Sequence, residues 1–136
     1  MKPIQLTFQA FGPYADVVDI DFTRLWKHGV FTITGPNGAG KTTIFDAMAY
    51  ALYGEVPGYR EVNDIRSQFA DAATETFVEF VFEVDGVRWL IRRTPTQLRP
   101  MIRGTGLTDK PTTVLLRRES DTAGGITKIS AAKAEV

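Results

Sequence analysis

The sequence is 136 residues long, enough for one domain with its own core and scarcely for two. Apolar residues make up 43% and charged residues 24%, the balance of a globular protein. The formal net charge is zero, so any surface for nucleic acid or membrane must be local. No cysteine is present, which excludes disulfide scaffolds and thiolate metal sites and fits a reducing cytosol.

In chain order, Met1 to Gln5 lacks the apolar run of a signal peptide, and no stretch approaches the roughly 18 apolar residues of a membrane span. The expectation is a cytoplasmic protein with no membrane partner. Ile4 to Phe11 alternates apolar and polar residues, the period of a half-buried strand, and Gly12-Pro13 breaks it. Val17 to Phe22 repeats the alternation, so a hairpin is predicted. Val30-Phe31-Thr32-Ile33-Thr34 is β-rich and bounded by glycines, which predicts a buried strand leading into a glycine-rich loop.

Lys41 to Tyr53 predicts a helix, with Ile44, Met48, Ala51 and Leu52 on one stripe and Gly54 as a left-handed stop. Residues 55–75 are irregular, with a short helical turn near Asp64. Thr76 to Thr94 holds two alternating runs joined by Asp85-Gly86, a type I′ turn signal. A two-residue turn pairs Val84 with Val87. That register sets Glu83 against Arg88 and Glu79 against Arg92 on one face, and Phe82 against Trp89 and Phe80 against Ile91 on the other. Pro95 to Pro111 reads as a loop, Thr112 to Arg118 as a strand, Gly124-Gly125 as a turn, Ile126 to Ile129 as a short strand, and 131–136 as the start of a helix.

The chemistry lies in Gly35-Pro36-Asn37-Gly38-Ala39-Gly40-Lys41-Thr42, which fits Gly-x-x-x-x-Gly-Lys-Ser/Thr with a predicted strand before it and a helix after it. The glycines let successive backbone N–H groups point inward, and the helix start adds its dipole to the anion site. Lys41 is placed to reach the β- and γ-phosphates of ATP, the Thr42 hydroxyl to ligate Mg²⁺, and Thr43 to meet the α-phosphate. A glycine-rich turn that merely starts a helix needs no lysine followed by threonine.

Leu6 to Tyr14, Ile20-Asp21-Phe22, Thr34 to Ala47, Ala51-Leu52-Tyr53-Gly54, Asp64-Ile65-Arg66-Ser67, the 76–94 hairpin, Arg92 to Pro95, Arg99-Pro100 and Arg103 to Gly106 together closely resemble the N-terminal ATPase-head lobe of the SbcC family. These proteins are SMC-like relatives of the ABC ATPases. The resemblance covers nearly the whole chain. It implies an α/β fold: a P-loop NTPase lobe of an ABC/SMC-type head, with a mainly antiparallel sheet flanking the P-loop strand and helix. It further implies that residues 1–136 are the first half of a head. A coiled coil and a C-terminal lobe would lie outside it, the latter carrying the signature motif, the Walker B aspartate and the catalytic glutamate. The partners implied are that C-terminal lobe, a second head in a homodimer, an SbcD-type nuclease subunit and double-stranded DNA. The implied function is ATP binding that regulates a DNA end- and hairpin-processing nuclease in repair and recombination.

After Gly40 no run of four apolar residues ends in Asp, Gln68 is poorly placed for a glutamine loop, and Asp121 to Gly125 reads better as a turn than as a signature. The chain is therefore expected to bind ATP and to hydrolyse almost none. The alternatives are the head lobe of another SMC-like DNA repair or chromosome-organising ATPase, a stand-alone P-loop enzyme, and a nucleotide-gated assembly switch. For a stand-alone enzyme the sequence offers no acceptor pocket or guanine-reading Asn-Lys-x-Asp.

Arg66 has two readings, a contact to nucleotide or DNA and a solvated surface charge. Asn37 suits a tight turn and could also touch the ribose or a partner head. Between Gly86 and Thr108 stand five arginines and no acid. The hairpin register pairs Arg88 and Arg92, which leaves Arg93, Arg99 and Arg103 free; contact of this loop with DNA phosphates is one reading and the less favoured one. Asp46 is expected to bond locally, His28 to be a surface residue, and Trp26 and Trp89 to serve core or interface.

Overall fold

The computed structural model describes residues 1–26, 29–57, 62–101 and 104–121. Its centre is a five-stranded antiparallel sheet in the order β2-β1-β3-β4-β7. The strands are β1 (Lys2–Gln9), β2 (Val18–Asp21), β3 (Phe77–Val84), β4 (Val87–Thr94) and β7 (Thr113–Arg118). A two-stranded hairpin, β5 (Gln97–Pro100) with β6 (Leu107–Lys110), stands apart from it. One helix, α1 (Lys41–Tyr53), packs on β3 and β4, and a 3-10 turn spans Val62–Ile65.

The alternation read from the sequence decides the faces. Leu6 and Phe8 of β1, Phe80 and Phe82 of β3, Ile91 of β4 and Leu116 of β7 are all buried in one cluster with Tyr50 and Ala51 of α1. Burying each large side chain contributes about 1.5–3 kcal/mol, so this face holds the sheet to the helix. The predicted hairpin register is the observed one, residue for residue from Val84↔Val87 to Glu79↔Arg92. Asp85 and Gly86 both have positive φ (50° and 78°), as a type I′ turn requires. On the outer face Arg88 meets Glu83 at 3.7 Å, and Arg92 meets Glu79 at 3.4 Å and Glu75 at 3.2 Å.

Three expectations need correction. Residues 30–34 form no strand: Val30 is 84% and Phe31 41% exposed. β propensity is realised only in hydrogen-bonded pairing with a neighbouring strand, and among the described residues no strand pairs with this run, although the Phe31 ring meets Phe22 at 6.2 Å. The stretch 95–111 is not a plain loop, because it contains the β5–β6 hairpin. That hairpin is tied down by Gln97, which pairs with the backbone of Thr76 (2.6 and 2.9 Å), and by Lys110, which binds Glu75 at 2.5 Å. The buried stripe of α1 is also rotated from the predicted one. Thr43, Asp46, Ala47, Tyr50, Ala51 and Leu52 are buried, while Ile44 and Met48 only border the core.

Trp26 donates its indole N–H to the Pro3 carbonyl at 3.1 Å and Trp89 packs against the core, as expected of structural tryptophans. His28, Arg103, the Gly124-Gly125 turn, the 126–129 strand and the 131–136 helix lie outside the described residues. Among the described residues no helix is long and apolar enough to cross a membrane.

Candidate functional site

Three segments remote in sequence meet at the start of α1. The first is the turn after β1. Ala10 is held at a positive φ of 51°, which turns the chain so that Phe11 and Tyr14 exchange backbone bonds at 2.9 and 3.1 Å. The second is the loop 35–43. The third is 64–69, fastened to the first by Gly12 N–H donating to Ile65 O (2.7 Å) and Ser67 N–H donating to Ala10 O (2.8 Å).

Aromatic packing sets the distance between the first two. The Tyr14 ring packs edge-on against buried Phe8, with centroids 5.4 Å apart, and its hydroxyl donates to Ala39 O at 3.0 Å. Gly40 starts α1 in the left-handed region (φ 82°), and a methyl group placed on it would stand 2.6 Å from the Tyr14 oxygen. Gly12 makes the other close approach, since a methyl there would lie 2.7 Å from Thr43 Cγ2. Glycine is thus required twice by contact as well as by backbone angle.

These segments enclose a cleft of about 790 Å³, within the range of small-molecule sites. Of the residues expected to bind nucleotide, Asn37, Gly38, Gly40, Lys41, Thr42 and Thr43 line it. The other three shape the loop: Gly35 O and Pro36 O accept from Lys41 Nζ at 2.8 and 2.7 Å, Ala39 N–H donates to Pro36 O at 3.2 Å, and Ala39 O accepts from Tyr14. The lysine ammonium therefore lies across its own loop. Thr42 is exposed and Thr43 buried. No acidic residue occupies the first turn of α1, so nothing there opposes the helix dipole in attracting an anion.

Arg66 also reaches this cleft, but its guanidinium is engaged by the following loop. It donates to Thr74 O (2.8 Å), Thr76 Oγ1 (2.5 Å) and Asp71 O (2.6 Å). Arg93 is not free, although the hairpin register alone leaves it so. It is 1% exposed and donates to the carbonyls of Ala51 (3.0 Å) and Leu52 (3.3 Å) at the end of α1, so it is not available to DNA. Sequence parity could have shown this, because Arg93 shares the inward face of β4 with Ile91. Pro13, Asp64, Gln68 and Phe69 complete the cleft wall; of these, sequence reasoning weighs only Gln68, and sets it aside as poorly placed for a glutamine loop. The only advance sign is Gly12-Pro13 ending β1 abruptly.

The residues present fit a magnesium-bound nucleoside triphosphate. A left-handed glycine opens a helix free of first-turn acids, an ammonium spans the loop, and a hydroxyl is exposed beside it. Among the described residues no group of three His, Asp or Glu could cage a metal, so a divalent ion would depend on Thr42 together with phosphate oxygens.

A phosphate-type loop opening a helix that packs on a β-sheet defines an α/β P-loop NTPase domain. The chain belongs to the AAA domain family, whose sequence profile matches residues 5–132. It is 46% identical over 111 residues to SbcC of the nuclease SbcCD from Vibrio cholerae, covering 81% of this chain and 11% of that protein. The Lactococcus lactis protein of the same name is 44% identical over 116 residues (85% of this chain, 11% of that one). That of Staphylococcus aureus is 42% identical over 94 residues (68% and 9%). These relatives bear out the SbcC resemblance, and the chain spans about a tenth of their length.

Proposed function

We propose that this domain binds ATP with Mg²⁺ as the nucleotide-holding lobe of an SbcC-type ATPase head. The observation that carries the reading is Lys41, held over a loop whose helix begins at left-handed Gly40 in a cleft of nucleotide size. On phosphate binding, Lys41 Nζ would exchange the carbonyls of Gly35 and Pro36 for β- and γ-phosphate oxygens. The backbone N–H groups of 38–42 would surround the β-phosphate, and Thr43 would stand near the α-phosphate. Thr42 Oγ1 would hold Mg²⁺, which when bound neutralises charge on the phosphates. Asn37 lines the cleft and is exposed, so contact with the ribose or a partner head is open to it, whereas Arg66 would reach nucleotide or DNA only by giving up its bonds to Asp71, Thr74 and Thr76.

The groups that activate water are assigned to a C-terminal lobe of the same head and to a second, engaged head. The exposed β-type run at Val30 and Phe31, immediately before the phosphate loop, supports a further lobe docking there. An SbcD-type nuclease subunit and double-stranded DNA are the partners this reading assigns to the whole protein.

Titration calorimetry with ATP and Mg²⁺ tests the proposal. Binding that falls at least tenfold in Lys41→Ala, with negligible turnover by residues 1–136 alone, is the expected result. Absence of binding, or binding indifferent to Lys41, overturns the phosphate reading. Robust hydrolysis by this segment, abolished by Lys41→Ala, overturns the assignment of catalysis to other lobes.

A further inference from the structure

The phosphate loop carries a piece of chemistry that phosphate binding does not use. Asn37-Gly38 is the sole Asn-Gly pair in the sequence, and the other asparagine, Asn63, precedes Asp64. The pair forms the middle of a tight turn closed by Ala39 N–H donating to Pro36 O at 3.2 Å. Both residues are exposed, and Gly38 sits at φ 81° with nothing within 4 Å of where a side chain would begin. Among the described residues neither the Asn37 amide nor the Gly38 N–H has a hydrogen-bond partner. The Gly38 nitrogen is therefore an unhindered backbone nucleophile next to an unrestrained carboxamide. Its surroundings favour the anionic form of that nitrogen. The Lys41 ammonium lies 2.7 Å from the carbonyl of Pro36, α1 begins at Lys41, and no acid occupies the first turn of that helix.

We infer that Asn37 is a self-modification site, converted to aspartate or isoaspartate while the cleft is empty and protected while nucleotide fills it; the protection rests on the phosphate reading above. The Gly38 nitrogen gives up its proton to hydroxide and attacks Asn37 Cγ. The new N–Cγ bond closes a succinimide as the Cγ–Nδ2 bond breaks, and Nδ2 leaves as ammonia with a proton from water. Water then opens either succinimide carbonyl, giving aspartate or, with the backbone rerouted through the side chain, isoaspartate. The net change is water consumed and ammonia released, with no oxidation or reduction. Lys41 and the start of α1 stabilise both the amide anion and the oxyanion at Cγ, and these are the groups that attract phosphate. A bound triphosphate cancels that field and engages the Gly38 N–H, so occupancy stops the reaction. Either product sets a carboxylate against the phosphates. A domain left empty thus becomes one that no longer binds.

The test incubates the full chain at mildly alkaline pH and follows the peptides around Asn37 and Asn63 by mass spectrometry, with enzymatic methylation to mark isoaspartate. Asn37 is expected to convert while Asn63 does not. Mg²⁺-ATP at roughly ten times its measured Kd should slow Asn37 about tenfold, in step with the fall in the empty fraction. Lys41→Ala keeps the Asn-Gly pair but not the ammonium, and should convert several-fold more slowly when empty. Asn37→Asp should bind ATP about tenfold more weakly at an unchanged urea midpoint. No conversion of Asn37 in the empty folded chain, or an equal rate in Lys41→Ala, overturns the site. An unslowed rate under ATP whose binding calorimetry verifies overturns the protection, and Asn37→Asp binding ATP normally overturns the consequence. If the chain binds no ATP, the phosphate reading falls and takes the protection with it, whereas Lys41-dependent conversion still establishes the modification site.

Discussion

The phenol of Tyr14 occupies the space that any side chain at Gly40 would need, while its hydroxyl holds the carbonyl next door at Ala39. A residue of the first β-turn therefore fixes the curvature of the phosphate loop. Gly40→Ala meets two obstacles, a left-handed φ of 82° and the 2.6 Å contact. Tyr14→Phe removes only the hydroxyl bond. We expect Gly40→Ala to lower ATP affinity more than tenfold, and Tyr14→Phe to cost about 1 kcal/mol of stability with binding nearly kept. If Tyr14→Ala restored full binding to Gly40→Ala, contact alone and not backbone angle would be the constraint.

Arg93 supplies positive charge to the carbonyl end of the same helix whose opposite end faces the cleft. Its burial lowers its pKa from the ordinary guanidinium value, with partial opposition from Tyr50. Arg93→Leu strands the last helix carbonyls in an apolar setting. A loss of about 3 kcal/mol in urea unfolding is expected, and Arg93→Lys should recover only part of it because one ammonium cannot reproduce the fork. A change below 1 kcal/mol would show the cap to be incidental.

Tyr50 offers a prediction on the alkaline side. Its hydroxyl is buried with no hydrogen-bond partner among the described residues, and burial pushes its pKa up to about 12, Arg93 pulling slightly back. A folded pKa above the unfolded value of 10.0 gives a contribution present below pH 10 and lost as pH rises toward 12. Tyr50→Phe should be neutral, or stabilising by up to about 1 kcal/mol, near pH 7 and should flatten that alkaline loss. Denaturant midpoints measured from pH 7 to 11 decide it, and a large loss at pH 7 would mean the hydroxyl is satisfied.

Glu75 acts at the acid end. Burial raises its pKa, but bonds and charge from Lys110, then Arg92, outweigh that and hold it below 4.5. A depressed folded pKa contributes stability above the unfolded value and loses it as pH falls below about 4.5 through the folded value. The carboxylate is 40% exposed, so solvent screening limits the contribution to about 0.5–1 kcal/mol. Glu75→Gln should lose that amount at pH 7, little at pH 3, and loosen β5–β6 in hydrogen exchange.

The β3–β4 hairpin is legible in full because alternation, charge pairing and Asp85-Gly86 all point to one register. The turn into α1 is legible because its glycines are written locally, and the structure does start the helix at left-handed Gly40 with Lys41 and Thr42 on the cleft. What stays hidden depends on distant neighbours. Val30 to Thr34 has the composition of a strand, but composition names no partner. The β5–β6 hairpin is held by Gln97 on Thr76 and Lys110 on Glu75, contacts across 21 and 35 residues that no local pattern carries. Phe69 and Gln68 reach the cleft only because Ser67 pairs with Ala10, 57 positions earlier in the chain. Arg93 misleads by its charge, when its place beside Ile91 already puts it inside.

The run from Val30 to Thr34 has a consequence for handling the protein. It carries no charge and no proline, is rich in β-formers, and has Val30 and Phe31 in solvent. Those are the attributes by which identical chains zip together edge to edge. Concentrated samples of residues 1–136 should scatter light progressively, a charge at Val30 should suppress it, and the natural remedy would be a strand laid against this run.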